Sequence, residues 1–295
     1  MAAEIENIAQ VTPKEREWID RINRVGMGYF RPLVMAILKQ DQTPGSRIRL
    51  FKKIERFIFV AFRLSASRAN YRSSEFYNAA RALDRGEISF EDIEQRLDHD
   101  LGYTLNEDGS LRIEEFYNLL FKKFKSGSGY YGWAGLRYFL YEYELSLMEA
   151  SVQQKVSWDD LLKTDKDKIS VEHIYPQTET SEWAKLFKGI NKKTRTAYSG
   201  SLGNLLLLSQ AINSALQNDA FQVKKTAKIA SNGQKLRHGY YDGSHSEIEV
   251  AQYAEWGPEQ IRERGAILLK FMEFRWGLLL RDDDRDRLLF LGSGE

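Results

Sequence analysis

The 295-residue chain has four histidines: His99, His173, His238 and His245. His173 stands directly behind an acid, in Val171-Glu-His-Ile-Tyr-Pro-Gln177. A neutral imidazole suits a general base for water near pH 7, and the Glu172 carboxylate is a hard oxygen ligand of the kind Mg²⁺ takes. Hydrolysis of a phosphodiester needs a base to activate water and a cation to stabilise charge on the phosphate and the leaving oxygen. Taken alone, the dipeptide is a weak signal, since a lone Glu-His at a strand end is structural or surface most of the time. Asn204, in Leu202-Gly-Asn-Leu-Leu-Leu-Leu208, has the setting of an Asn that fixes a loop through backbone bonds. Asn213 offers an amide oxygen that Mg²⁺ accepts. Lys224 and Lys225 fall in the first turns of an expected helix, where a lysine can meet a phosphate. His99 reads as a surface residue. His238 and His245 flank Gly239-Tyr-Tyr-Asp-Gly243 and read as solvated loop residues, with an approach to DNA or a metal as the alternative; that loop lacks the Gly-Lys-Ser/Thr ending of a phosphate cradle.

These residues must be positioned by the elements around them. Ile169–Tyr175 is β-favouring and stops at Pro176, and Leu202–Leu208 is a second short apolar run. A helix is expected from Asn218 or Asp219 to Ala230. Two short strands and a helix, with a long insertion between the strands, make a small ββα unit. On a strand, Glu172 and His173 face opposite ways unless the strand end lets them converge. The rest reads as helical: Thr12 caps a helix opened by Pro13, Ser89 with Asp92 forms a capping box, and Tyr130–Ala150 is an aromatic-rich helix whose stripe reads as core. The expected fold is mainly α, a helical array carrying a small ββα unit. Its expected domains are a helical one over 1–155, one with the ββα unit and the basic segment over 156–246, and closing helices with a tail over 247–295.

Composition narrows the function classes. With no cysteine, a disulfide scaffold, a thiol nucleophile and a Cys-ligated zinc site are excluded. No apolar run approaches the roughly 18 residues of a membrane span, and the acidic start lacks the order of a signal peptide. No membrane partner is expected, and a cytoplasmic location is. The formal net charge of +1 hides an asymmetry. From Lys185 to Arg237 there are ten basic residues and one acid, Asp219, which is 10 − 1 = +9, leaving −8 for the remainder. That segment is either a polyanion-binding surface or a solvated lysine-rich face.

The order Val171-Glu-His-Ile-Tyr-Pro-Gln177, Trp183, Leu202-Gly-Asn-Leu-Leu-Leu-Leu208, Asn213, then Asn218-Asp-Ala-Phe221 and Lys224 resembles the C-terminal domain of GmrSD-type restriction proteins. That domain belongs to the HNH, or His-Me finger, nucleases, whose relatives include modification-dependent restriction enzymes and SspE-like phage-defence nucleases. The resemblance spans about Ile169 to Lys228, and the helical region before it, including the Tyr-rich helix, also looks similar. It implies a ββα-metal finger in which His173 activates water and Glu172 and Asn213 ligate Mg²⁺ or Mn²⁺. Asn204 would hold the loop that orients the site, or the base itself. Lys224 would contact phosphate or support the site. With Lys225, Lys228, Lys192, Lys193 and Arg195 it would face double-stranded DNA. The implied activity is a DNA endonuclease that nicks one strand in restriction or anti-phage defence, leaving a 5′-phosphate and a 3′-hydroxyl. Relatives carry a ParB-like N-terminal domain associated with nucleotide hydrolysis, and its Asp-Gly-Gln-Gln-Arg-type segment has no counterpart here. A short natural member or an excised C-terminal half is expected, with a possible partner protein. The rival readings are a DNA-binding or docking module with a finger inactive on its own, and an RNA-cutting toxin-like nuclease.

Overall fold

The structure is a computed structural model that describes residues 11–26, 28–65, 71–151, 169–209 and 216–292. It divides into two compact units, Met1–Phe116 and Tyr117–Glu295. The domain limit expected at 155 lies outside the described residues, and the limit expected at 246 falls within the second unit. Both units are mainly helical. No described helix is long and apolar enough to cross a membrane.

The first unit holds α1 (Pro13–Val25), α2 (Arg31–Lys39), α3 (Pro44–Ile58), α4 (Ser73–Asp84) and α5 (Phe90–Leu101). Thr12 caps α1 in a reciprocal box with Glu15, and Ser89 does the same for α5 with Asp92, which satisfies amides that a helix start leaves without partners. Apolar residues at helical spacing turn inward, so Phe30, Phe57 and Phe76 meet with ring centroids 4.5–5.8 Å apart. Glu15 is fully buried under Arg47, whose Nε donates to it over 2.6 Å.

The second unit contains the rest of α6 (Glu114–Lys125), then α7 (Leu136–Ser151). The aromatic stripe is core, as its spacing predicts: Tyr130, Trp133, Tyr138, Phe139, Tyr141 and Tyr143 are buried. Tyr131 is the departure, half exposed on a short 3₁₀ turn (Gly129–Gly132). β1 (Ile169–His173) then pairs antiparallel with β2 (Leu205–Ser209), in a register that sets Glu172 opposite Leu206 and His173 opposite Leu205. Between them lie α8 (Ser181–Leu186) and α9 (Lys192–Gly200). This insertion has its own aromatic filling, with Tyr175 stacked on Phe187 at 4.0 Å and fully buried Trp183 beside it.

The helix expected to run to Ala230 is much shorter. α10 spans Phe221–Lys225, and the chain then enters β3 (Lys228–Ile229), which pairs with β4 (Lys235–Arg237). The cause is Arg237. Its buried guanidinium takes the Val223 carbonyl at 3.0 Å and the Thr226 carbonyl at 2.9 Å, so acceptors that would have continued the helix are bound from outside. The unit closes with α11 (His245–Ala251), α12 (Pro258–Trp276) and α13 (Asp282–Leu289).

Candidate active site at the end of the first strand

β1 keeps its alternation to the end: Glu172 is buried and His173 is partly exposed. The two side chains therefore diverge. Glu172 Oε1 accepts from Lys224 Nζ at 2.5 Å and from the Tyr240 hydroxyl at 3.4 Å. Lys224 is itself fully buried, and its remaining protons go to the Ile174 carbonyl at 3.1 Å and the His173 carbonyl at 3.3 Å. Burial pushes the Glu172 carboxyl up, against the pull of Lys224. The same burial, with the Lys224 charge adding to it, lowers His173 to about 4. The imidazole is therefore neutral at pH 7, the form that accepts a proton.

Two side chains hold the His173 ring. Tyr131 lies against it with centroids 5.0 Å apart and planes tilted by 34°. Gln177 Nε2 is 3.3 Å from His173 Nε2. The ring keeps a free lone pair, at Nδ1, when the amide presents its oxygen to Nε2–H; an amide N–H in that place would fill the lone pair a base needs. Neither residue had been assigned a role from the sequence. Gln177 was within reach, because it ends the motif that contains His173. Tyr131 lies 42 positions before His173, and no local signal links them.

Asn204 anchors the strand ends and does not touch the His173 ring. Its Nδ2 donates to the Tyr175 carbonyl at 2.9 Å and the Ser199 carbonyl at 3.0 Å. Its Oδ1 accepts from the Tyr175 amide at 2.8 Å and from Trp256 Nε1 at 3.0 Å. With both donors and both lone pairs used, this buried amide has nothing left for water or phosphate. Of the two roles expected of Asn204, its bonds are those of a loop-holding residue, made to the Tyr175 backbone just after His173. The preceding Gly203 is required by a close approach, since a Cβ there would stand 1.9 Å from the Ile261 carbonyl oxygen on α12. Fully buried Arg264, also on α12, donates to the Gly203 and Leu205 carbonyls, each at 2.8 Å.

Other expected residues are placed differently. Lys224 and Lys225 are corrected as DNA contacts, because both are buried. Lys225 Nζ donates to the Tyr253 carbonyl at 2.8 Å and lies 5.4 Å from the Phe221 and Tyr241 ring centres. Lys192, Lys193 and Lys228 are exposed, while Arg195 is bound to Glu179 at 2.8 Å. Asn213 lies outside the described residues. His99 and His238 are exposed as expected, but His245 is corrected: it sits at the start of α11 with Nδ1 3.2 Å from Glu144 Oε1. On the same turn, buried Glu247 accepts from the Ser244 amide at 2.8 Å through Oε2, while its Oε1 has no partner among the described residues. Burial pushes its carboxyl up to about 7, and the Glu144 and Glu172 charges add to this.

The arrangement does not fit a divalent ion on Glu172. An ammonium already occupies Oε1, and a second cation there would meet Lys224 at close range. Among the described residues no three His, Asp or Glu side chains converge as a metal site needs. What the described residues do form is a neutral, positioned imidazole at a surface, backed by a buried lysine–carboxylate pair.

The family model described as GmrSD restriction endonucleases, C-terminal domain, matches residues 117–271, just over half of the chain. The match begins at the residue where the second unit begins. No curated protein and no solved structure matches.

Proposed function

The chain belongs to the GmrSD restriction endonuclease C-terminal-domain family, a family of nucleases in restriction or defence, and on that premise we propose that it cuts one strand of duplex DNA at His173. The observation that carries this reading is the placement of the His173 imidazole at a partly exposed strand end, against the Tyr131 ring and beside Gln177, where burial and the Lys224 charge keep it neutral. Neutral at physiological pH, it takes the proton of a water attacking phosphorus. The reading is supported by the antiparallel pair β1–β2 with the short α10 after it, the order that an HNH finger would need. Phosphate charge is met from the exposed lysines of the basic segment, among them Lys192, Lys193 and Lys228.

A magnesium or manganese ion at Glu172, the family expectation, requires Lys224 to withdraw first, and no step of this reading is routed through one. A second reading has a specific observation behind it. With Lys224 in the cation's place, the finger binds duplex without cutting until a partner or a preceding ParB-like domain rearranges it.

Conversion of supercoiled plasmid to the nicked circle, with and without Mn²⁺, tests the proposal. His173→Ala is expected to lower the nicking rate by about 10²–10⁴-fold. Equal rates in the two proteins remove His173 as the base. Salt-sensitive duplex binding with no nicking in either protein selects the second reading. Cleavage of RNA in preference to DNA overturns the substrate.

A further inference from the structure

β3 and β4 form a short ribbon, of which the proposed chemistry uses Lys228 and leaves the rest without a part. Its register is Lys228 opposite Arg237 and Ile229 opposite Lys235, with a bulge between the two pairs at Leu236, which has no opposite residue. The turn between the strands is closed by the Ala230 amide on the Gln234 carbonyl at 2.8 Å and the Gly233 amide on the Ala230 carbonyl at 2.9 Å. Gly233 there has φ +83°, a conformation that suits glycine. The Gln234 amide adds a bond to Asn232 Oδ1 at 3.0 Å.

The root of the ribbon is locked as firmly as its tip. Arg237 ties β4 to the end of α10 through the Val223 and Thr226 carbonyls and to Asp219 Oδ2 at 3.2 Å. At Gly239 a Cβ would come within 2.3 Å of the Thr226 backbone, so the two legs of the ribbon close on each other where they leave the body of the unit. Both legs also begin at the candidate site. Lys224, on Glu172, lies four residues before Lys228, and Tyr240, also on Glu172, lies three residues after Arg237. The ribbon is therefore a rigid arm rooted under His173's strand.

What the arm displays has no purpose inside the unit. Ile229 is 62% exposed and Leu236 is 56% exposed. Exposed Lys228 and Lys235 are their strand neighbours, Lys235 with Asp242 at 3.7 Å. No acid occurs from Ala220 to Tyr241. Apolar side chains of this size interleaved with lysines match a duplex groove, whose floor is base edges and whose rims are phosphates. Narrow β-ribbons enter such grooves, and Leu or Ile side chains there wedge into base steps and bend the helix.

Resting on the nuclease reading of the site, we propose that the β3–β4 ribbon inserts into a groove of duplex DNA beside the strand presented to His173. Ile229 and Leu236 wedge at a base step, and Lys228 and Lys235 grip the flanking phosphates. The ribbon so deforms the substrate and selects steps that unstack at low cost.

Equilibrium binding of a duplex of about 20 base pairs carrying 2-aminopurine tests this, in a His173→Ala background that keeps the DNA intact. Insertion is expected to raise the 2-aminopurine fluorescence. The pair Ile229→Ser and Leu236→Ser is expected to abolish that rise and weaken binding about tenfold, with an unchanged salt slope. The pair Lys228→Ala and Lys235→Ala is expected to reduce the slope of log affinity against log salt by about two. All four side chains are exposed, so circular dichroism and melting are expected to match the parent. Wild-type fluorescence and affinity in the apolar pair overturn the wedge and leave the exposed face to a protein partner. An unchanged salt slope in the lysine pair overturns the phosphate grip. Plasmid nicking that depends on His173 but not on the ribbon removes the arm and keeps the nuclease. Ribbon-dependent binding without any nicking does the reverse.

Discussion

Glu15 in the first unit and Glu172 in the second are each buried against a cation, and they are held differently. Glu15 has both carboxylate oxygens occupied, Oε1 by Arg47 at 2.6 Å and Oε2 by the Thr12 amide at 2.8 Å and hydroxyl at 2.7 Å. Burial raises its carboxyl, but Arg47 and Thr12 outweigh it and hold the group below its ordinary value. Glu172 is met by Lys224, Tyr240 and the His173 backbone amide, and there burial still wins. A guanidinium with a helix cap makes a settled structural pin. An ammonium on a flexible stem, facing a carboxylate whose charge is costly, makes a pair that can exchange partners. The settled pair anchors a helix start, and the unsettled one lies directly under the candidate base.

The contrast has measurable consequences. Lys224→Ala leaves a buried carboxylate without its cation, and urea unfolding is expected to show a loss of about 3–5 kcal/mol. Arg47→Ala leaves the Thr12 bonds in place and is expected to cost about 1–3 kcal/mol. Equal losses would mean that the two pairs are alike. Next in size is the pH dependence of stability. His173 has a folded pKa of about 4 against 6.5 for its ordinary value, so between these limits the unfolded chain binds more protons. Stability from this group is complete above pH 6.5 and is lost as pH falls toward 4, by up to about 3 kcal/mol, less for a ring partly in solvent. His173→Ala should flatten the melting profile over that window. Glu247, raised to about 7, acts in the opposite sense: its contribution is present below pH 4.5 and is lost as pH rises through 7. Glu247→Gln should therefore melt higher than wild type at pH 8. A smaller effect is expected from divalent ions. Mn²⁺ should raise the melting temperature of Lys224→Ala more than that of wild type, because it no longer competes with an ammonium. The same increment in both proteins would separate Glu172 from any ion site. The smallest change belongs to Gln177→Ala, which is expected to slow nicking about three- to tenfold without altering stability.

The fold was legible where its causes are local. Thr12 with Glu15 and Ser89 with Asp92 read as helix starts, and the aromatic spacing after Tyr130 read as core, because caps and periodicity act over a few residues. The neighbours Glu172 and His173, and the loop-holding Asn beside its Gly, were visible for the same reason. The length of α10 was not, since it is set by Arg237 reaching back 11 and 14 residues to carbonyls of the preceding segment. Nor was the inward turn of Lys224, whose partner lies 52 positions away. Lysine count gave the +9 segment, but three of its ten cations, Lys224, Lys225 and Arg237, are buried, which only tertiary packing decides.

The seat of Gly203 on α12 bears on how this domain can be divided. The turn that carries Asn204 is pressed against Ile261, clasped by Arg264 and bonded through Trp256, all of them downstream of the strand pair and α10. The family match accordingly runs on to residue 271, into that same helix. A fragment trimmed to the strands and α10 would keep those motifs and lose the vice that sets their spacing, so the smallest unit that keeps this geometry extends through α12.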